Sequence, residues 1–252
     1  MSIARTHLAV RNSSLRDCGC SAVEPSFTEA PTLVPQPPVE LTHDAHVRQM
    51  LANSQARVYR IELPANGQTA LGRHDHDFLI ISLGGNQFEL AGSGDTYPMT
   101  MSDGEVQVMK AHWAHRVINK SKTPLHLVEV ETMQDITPER AVCGLVAQSC
   151  TGARFAKDDK TNYIESTLFV TPSMRLAKVE IGPTAGMPEH GHTKAHLMIA
   201  LNDQQLTNAI VAGATSAVDA HAGDPTRLSG DIVHRVVNKG RQPARFLTIE
   251  WK

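Results

Sequence analysis

Four short stretches carry histidines at spacings suited to holding a metal ion. GRHDHDFLIISL (72–83) supplies His74 and His76, and EHGHTKAHLMIAL (189–201) supplies His190, His192 and His196. Each is followed by a near-identical hexapeptide, HRVINK at 115–120 and HRVVNK at 234–239, which adds His115 and His234. Residues i and i+2 of a strand share a face, so an H-x-H pair aims two rings into one space. A third ring from a distant strand completes a facial set if the sheet curls round. Neutral imidazole ligates Zn, Fe, Ni and Cu, and three such ligands leave positions for water or substrate. Trp113, two residues before His115, either walls that space or fills core. His112 and His126 have no such company in the sequence.

The elements that must position these rings are duplicated. RVYRIEL (57–63) returns as RLAKVEI (175–181), and FLIISL (78–83) returns as HLMIAL (196–201). Beyond each HRV segment a proline (Pro124, Pro243) and then a glutamate (Glu131, Glu250) recur at equal distances. Self-similarity at a fixed offset is the mark of duplication. It divides the 252 residues into two units of ordinary domain size. The apolar runs are short, rich in Val and Ile, and closed by Gly, Pro, Asn or Asp. That texture predicts β-strands in a sandwich or barrel. Asn119 and Asn238, which end the two HRV segments, read as turn formers. Arg116 and Arg235 alternate away from their histidines. Residues 1 to about 40 hold EPSFTEAPTLVPQPPVE, whose prolines exclude regular helix or central strand. The spacing predicts a short helix over 43–54. A second is predicted from TPERAVCGLVAQ, with Thr137 as cap and Pro138 at the first helical position.

With these residues in view, the chain resembles a two-domain member of the cupin superfamily, a bicupin. The family's first motif is a Gly, five residues, H-x-H, three or four residues, a Glu, six residues and a Gly. Its second ends in H-x-x-x-N. HGHTKAH and SGDIVHRVVN resemble these in the second copy, GRHDHD and AHWAHRVIN in the first. The resemblance implies an all-β fold of two tandem cupin-type antiparallel β-barrels (double-stranded β-helix, or jelly roll) over 55–132 and 168–252. An extended Pro-rich N-terminal arm (1–54) and a short helical linker (133–167) complete the expected plan. It also implies a divalent metal ion, Fe, Zn, Ni or Mn, inside the barrels. The ligands would be His190, His192, His196 and His234 in the second copy, and His74, His76 and His115 in the first.

The family's glutamate is absent from both copies. In the second its place, four residues after His192, is taken by His196. For the first copy two registers are open. Without gaps, His192 matches His74, His190 matches Gly72 and His196 matches Phe78. With H-x-H set on H-x-H, a two-residue gap brings Asp77 near the glutamate position, although alternation points it away unless a bulge re-aims it. Glu129 and Glu131 lie on a late strand of the first copy and Glu250 on that of the second. Sequence does not decide whether they face a pocket.

Three functions from different classes fit. A metal-dependent oxidoreductase of dioxygenase type leads: Fe(II) held by histidines and no carboxylate keeps more positive charge and open positions for a bidentate small-molecule substrate and O₂. The second is a non-redox lyase, isomerase or hydrolase. The third is a non-catalytic metal or small-molecule binding protein. Without the family's carboxylate, proton abstraction falls to a histidine or to metal-bound hydroxide. With 24 Lys+Arg against 26 Asp+Glu and no basic stripe, a nucleic-acid partner is not expected. No apolar run reaches the length of about 18 residues that would cross a membrane, and the first 30 residues lack the apolar core of a signal peptide. The expected compartment is the cytoplasm, or the periplasm if a leader has been removed. Cys18, Cys20, Cys143 and Cys150 read as free thiols, with a Cys143–Cys150 disulfide as the alternative. Barrels of this kind often associate through edge strands, which admits a homodimer.

Overall fold

The structure is a computed structural model and describes residues 38–92, 94–136, 146–147, 154–158 and 162–252. The first unit contains β1 (Val47–Ala52), β2 (Ala56–Leu63), β3 (Gly72–Arg73), β4 (Phe78–Ser82), β5 (Asn86–Gly92), β6 (Thr96–Met101), β7 (Val106–Met109), β8 (Ala114–Asn119), β9 (Leu125–Thr132) and β10 (Val146–Ala147). The second contains β11 (Arg154–Asp158), β12 (Tyr163–Val170), β13 (Met174–Ile181), β14 (His190–His192), β15 (His196–Ala200), β16 (Gln204–Ile210), β17 (Thr215–Ala220), β18 (Pro225–Leu228), β19 (Ile232–Asn238) and β20 (Ala244–Trp251). Each unit has a six-stranded sheet facing a four-stranded one. The sheet orders are β1-β2-β9-β4-β7-β10 with β3-β8-β5-β6, then β11-β12-β13-β20-β15-β18 with β14-β19-β16-β17. The ladders are antiparallel throughout, and no ladder joins a unit's two sheets among the described residues, so each unit is a sandwich rather than a closed barrel.

Burial explains the two kinds of apolar run. In HRV-x-N, His115, Val117 and Asn119 are buried while Arg116 and Ile118 are half-buried, because the four-stranded sheet has one outer face. The strands FLIIS and HLMIA are buried at every position because both faces are covered. Phe78 and Ile80 point into the first unit against Phe88 and Leu90, whereas Leu79 and Ile81 pack on Leu197, Ile199 and Ile249 of the second. The two six-stranded sheets therefore share one core. Each fully buried Leu, Ile or Phe in it contributes about 1.5–3 kcal/mol. Arg60 of the first unit hydrogen-bonds Ala222 O (2.7 Å) and Asp224 (2.9 Å) of the second, while Lys178 returns to Asp103 O (3.2 Å).

One expected helix needs correction. Residues 43–54 contain a strand, β1, which pairs with β2 from Val47↔Ile61 to Ala52↔Arg57. A helix this short is marginal on its own, and pairing on a buried sheet outweighs its local propensity. The only helical turn there, Leu41–His43, is of 3-10 type. The helix expected from Thr137 lies outside the described residues except for Val146–Ala147, which pair with β7 as strand. Residues 1–37 of the arm, and all four cysteines, also lie outside them. No helix among the described residues is long and apolar enough to cross a membrane.

The repeated Asn acts as a side-chain staple, not through a left-handed backbone. Asn238 Nδ2 donates to Ile181 O (3.0 Å) and Gln242 O (2.8 Å), and its Oδ1 accepts from Gly240 N (2.8 Å). Asn119 makes the matching bonds to Pro64 O (2.9 Å), Thr123 O (2.8 Å) and Ser121 N (3.0 Å). Asn238→Ala strips a buried turn of its partners and is expected to cost about 1–3 kcal/mol, read as a lower urea midpoint with unchanged m-value. An unchanged midpoint would refute the staple.

Candidate metal centre

In the second unit, β14 lies beside β19 with His190 opposite His234, and β15 brings His196 from the facing sheet. The ligand atoms of His190, His192 and His234 all lie within 4.8 Å of one another. The outer nitrogens of His190 and His234 are held by hydrogen bonds, and that of His192 lies near a carboxylate. His190 Nδ1 donates to Pro188 O (2.8 Å), His234 Nδ1 donates to Asn208 Oδ1 (2.6 Å), and His192 Nδ1 lies 3.5 Å from Glu250 Oε1. These anchors choose the tautomer and turn each Nε2 inward. The Nε2 atoms of His190 and His234 stand 3.1 Å apart. With both Nδ1 positions protonated, two lone pairs face each other, an arrangement suited to a shared cation.

Burial, reinforced by the neighbouring rings, holds His196 down to about 3 and His234 down to about 4, and also depresses His192. All three are neutral at pH 7, the state that ligates metal. His192 Nε2 and His196 Nδ1 are buried without a hydrogen-bond partner. His196 stacks on His192 (centroids 3.9 Å, planes 27° apart), and its nitrogens stay outside the group of three. The rings open on a cavity of about 340 Å³, walled by Met187, Met198, Leu228 and Phe246. At its rim Arg175 donates to Glu165, to Thr167 Oγ1 (3.0 Å) and to Glu250 Oε1 (3.3 Å).

The first unit occupies the same positions differently. The ladders pair Gly72 with His115 as they pair His190 with His234, and Phe78 with Glu131 as His196 with Glu250. The ungapped register is therefore correct: His74 stands where His192 does, Gly72 replaces His190 and Phe78 replaces His196. A Cβ on Gly72 would overlap Leu41 Cδ2, so the 3-10 turn fills the volume that a histidine would need. Phe78 stacks on His74 (3.9 Å), and Trp113 stacks on His115 (4.7 Å).

A carboxylate that has no counterpart in the second unit completes this cluster. Glu129, fully buried, accepts from His74 Nε2 (2.9 Å) and lies 3.3 Å from His115 Nε2. Its structural equivalent is Thr248, because Tyr59↔Glu129 and Ala177↔Thr248 are matching rungs. His74, His115 and Glu129 form a second group able to hold an ion. Burial opposes charge on His74, but Glu129 and Glu131 outweigh it and push the imidazole up to about 9. Burial likewise opposes the carboxylates, and His115 with His74 brings Glu129 down to about 2. His76 turns away: its side chain is 37% exposed, with Nδ1 3.4 Å from Glu131. Asp77 accepts from Lys110 Nζ (2.7 Å), Ala111 N (2.9 Å) and Ile136 N (2.9 Å), and so closes a loop rather than facing the cluster.

No protein-family model and no curated relative matches the chain. Solved structures do match. A cupin 2 conserved barrel domain protein from Leptotrichia buccalis aligns at TM-score 0.51 and 13% identity, over 83% of this chain and 90% of that one. Oxalate decarboxylase from Bacillus subtilis aligns at TM-score 0.57 and 12% identity, over 78% and 68%. Salicylate 1,2-dioxygenase from Pseudoaminobacter salicylatoxidans aligns at 0.52 and 10%, again over 78% and 68%. The chain has the bicupin fold.

Within that fold, the structure brings His190, His192, His196 and His234 round one cavity, and His74 and His115 round a buried carboxylate. It does not bring His76 into either group. Sequence reasoning left the facing of Glu129 open and did not name Asn208, Glu165 or Arg175. A signal existed for Glu129 and Arg175. Glu129 and Glu131 are spaced to share a strand face, and Arg57 and Arg175 open the repeated strands RVYRIEL and RLAKVEI.

Proposed function

We propose that this bicupin is a small-molecule metalloenzyme of dioxygenase type, with its metal in the second unit. The observation that carries the reading is the pair of inward Nε2 lone pairs of His190 and His234, 3.1 Å apart. Two nitrogens bound to one ion at about 2.0–2.1 Å stand about 3 Å apart, so the donor set fits. His192 is the third ligand, and His196 is within reach of a fourth position. A redox-active divalent ion held there would supply open positions for a bidentate oxygen-bearing substrate and for O₂. The protein's own part is to anchor the three rings, to exclude water with Met187, Met198 and Phe246, and to admit a substrate of modest size.

Dioxygenase chemistry is favoured over proton-transfer chemistry by the state of the rim. Burial opposes charge on Glu165, but Tyr163 and Arg175 overcome it and hold the carboxyl below its usual range. Glu250 is committed to Arg175 and His192. Glu165 is therefore a weak general base near neutrality. The first unit, by this reading, keeps its His–Glu cluster without a metal.

Elemental analysis of untagged protein tests the proposal. One metal per chain is expected, with iron-loaded protein taking up O₂ in the presence of a small diketone, catechol, thiol or hydroxybenzoate. Metal without O₂ uptake in any class, but with decarboxylation or hydrolysis, would move the assignment to a non-redox enzyme. No metal after reloading would leave a binding protein.

A further inference from the structure

The rim of the second unit holds a chain of charges that ends on a ligand histidine. Glu250 Oε1 lies 3.3 Å from Arg175 Nη1 and 3.5 Å from His192 Nδ1. Arg175 is in turn fixed by Glu165 and by Thr167 Oγ1 at 3.0 Å. Arg175 and Glu250 are a rung of the β13–β20 ladder, so the backbone sets their approach. The first unit carries the same three residue types at the matching positions. Arg57 and Glu131 are a rung of the β2–β9 ladder, with Nη1–Oε2 3.4 Å, and Glu131 lies 3.8 Å from His74 Nδ1. The equivalence is not imposed by a shared ligand set, since the first unit has lost the partners of His190 and His196.

We infer that Arg175 and Glu250 are positioning residues for the metal centre, acting through His192. This rests on the proposed metal reading. Glu250 Oε1, 3.5 Å from His192 Nδ1, is placed to take up that proton on a small closure, which would select the tautomer with its lone pair on Nε2 and make that nitrogen a stronger donor. Arg175 holds Glu250 in place. It is spent on two carboxylates, so it is not a free site for an anionic substrate. His192 Nε2, buried and without a protein partner, is the atom this arrangement presents.

Cobalt(II) titration of the metal-free full-length protein tests the inference, with affinity and the visible d–d spectrum as readouts. Outer-shell partners of this kind are worth about 10–100-fold in metal affinity, and Glu250→Ala is expected to lose that much with an altered spectrum. Glu250→Gln keeps the acceptor and should recover most of the affinity. Arg175→Met should fall between the two. A urea midpoint for each apo variant separates this from unfolding, and Arg175→Met carries the test if the alanine variant does not fold. Wild-type affinity and spectrum in both Glu250→Ala and Arg175→Met would overturn the positioning role while leaving the metal centre intact. Failure of wild type to bind cobalt would overturn the metal reading and this inference together.

Discussion

His234→Ala is expected to abolish metal binding, and His76→Ala to leave it unchanged. His234 is 1% exposed, its Nδ1 is spent on Asn208, and its Nε2 is half of the closest donor pair in the second unit. On the proposed reading, removing it would take away a ligand, not the orientation of one, so the expected loss exceeds the roughly 100-fold limit of outer-shell changes. The ring is uncharged at neutral pH, held down to about 4 by burial and by its neighbours His190 and His192, so no ion pair is broken in the fold. Elemental analysis and cobalt titration of both variants check this. Metal retained in His234→Ala, or lost in His76→Ala, would place the centre elsewhere.

Glu129→Ala is expected to destabilise the protein by about 3–5 kcal/mol, the cost of leaving a buried charge unpaired. Glu129 is fully buried and serves both His74 and His115, and nothing polar replaces it when it is cut back. Replacing His74, His115 and Glu129 together by apolar residues of similar volume should cost far less, and such exchanges have been stabilising by about 1–4 kcal/mol. The cluster also makes stability depend on pH. Against burial, Glu129 and Glu131 raise His74 from 6.5 to about 9, so its contribution is full below pH 6.5 and is lost as pH rises through 9. Against burial, the histidines lower Glu129 from 4.5 to about 2, so its contribution is full above pH 4.5 and is lost as pH falls through 2. The gap in urea stability between wild type and Glu129→Ala is therefore widest between pH 4.5 and 6.5 and narrows on both sides. A gap that stays flat from pH 5 to 10 would refute the ion pair, and a metal count falling from two to one would mark a second metal site.

The two clusters show how duplicated positions diverge. Gly72 and Phe78 stand at two of the histidine positions, Leu41 fills the space of one, and Glu129 accepts from His74 and lies beside His115. In the second unit Thr248 stands where Glu129 does, and the chamber stays open.

The sequence by itself determined the duplication, the β-strand texture of both units and the inward face of HRV-x-N. These are local or periodic properties. A side-chain period of two assigns His234, Val236 and Asn238 to one face whatever lies opposite, and the repeat offset needs no structure. Tertiary structure decided the rest, because it depends on which strands become neighbours and in what register. The choice between the gapped and ungapped match of His74 required the Gly72↔His115 rung. The role of Glu129 required β9 to bring it against His74, 55 residues away, and that of Glu250 required β20 to lie beside β13, with Arg175 75 residues away in sequence. Residues 47–52 became a strand, not a helix, because β2 offered an edge to pair with. A cross-strand neighbour is set by long-range pairing, and no window of local sequence contains both partners.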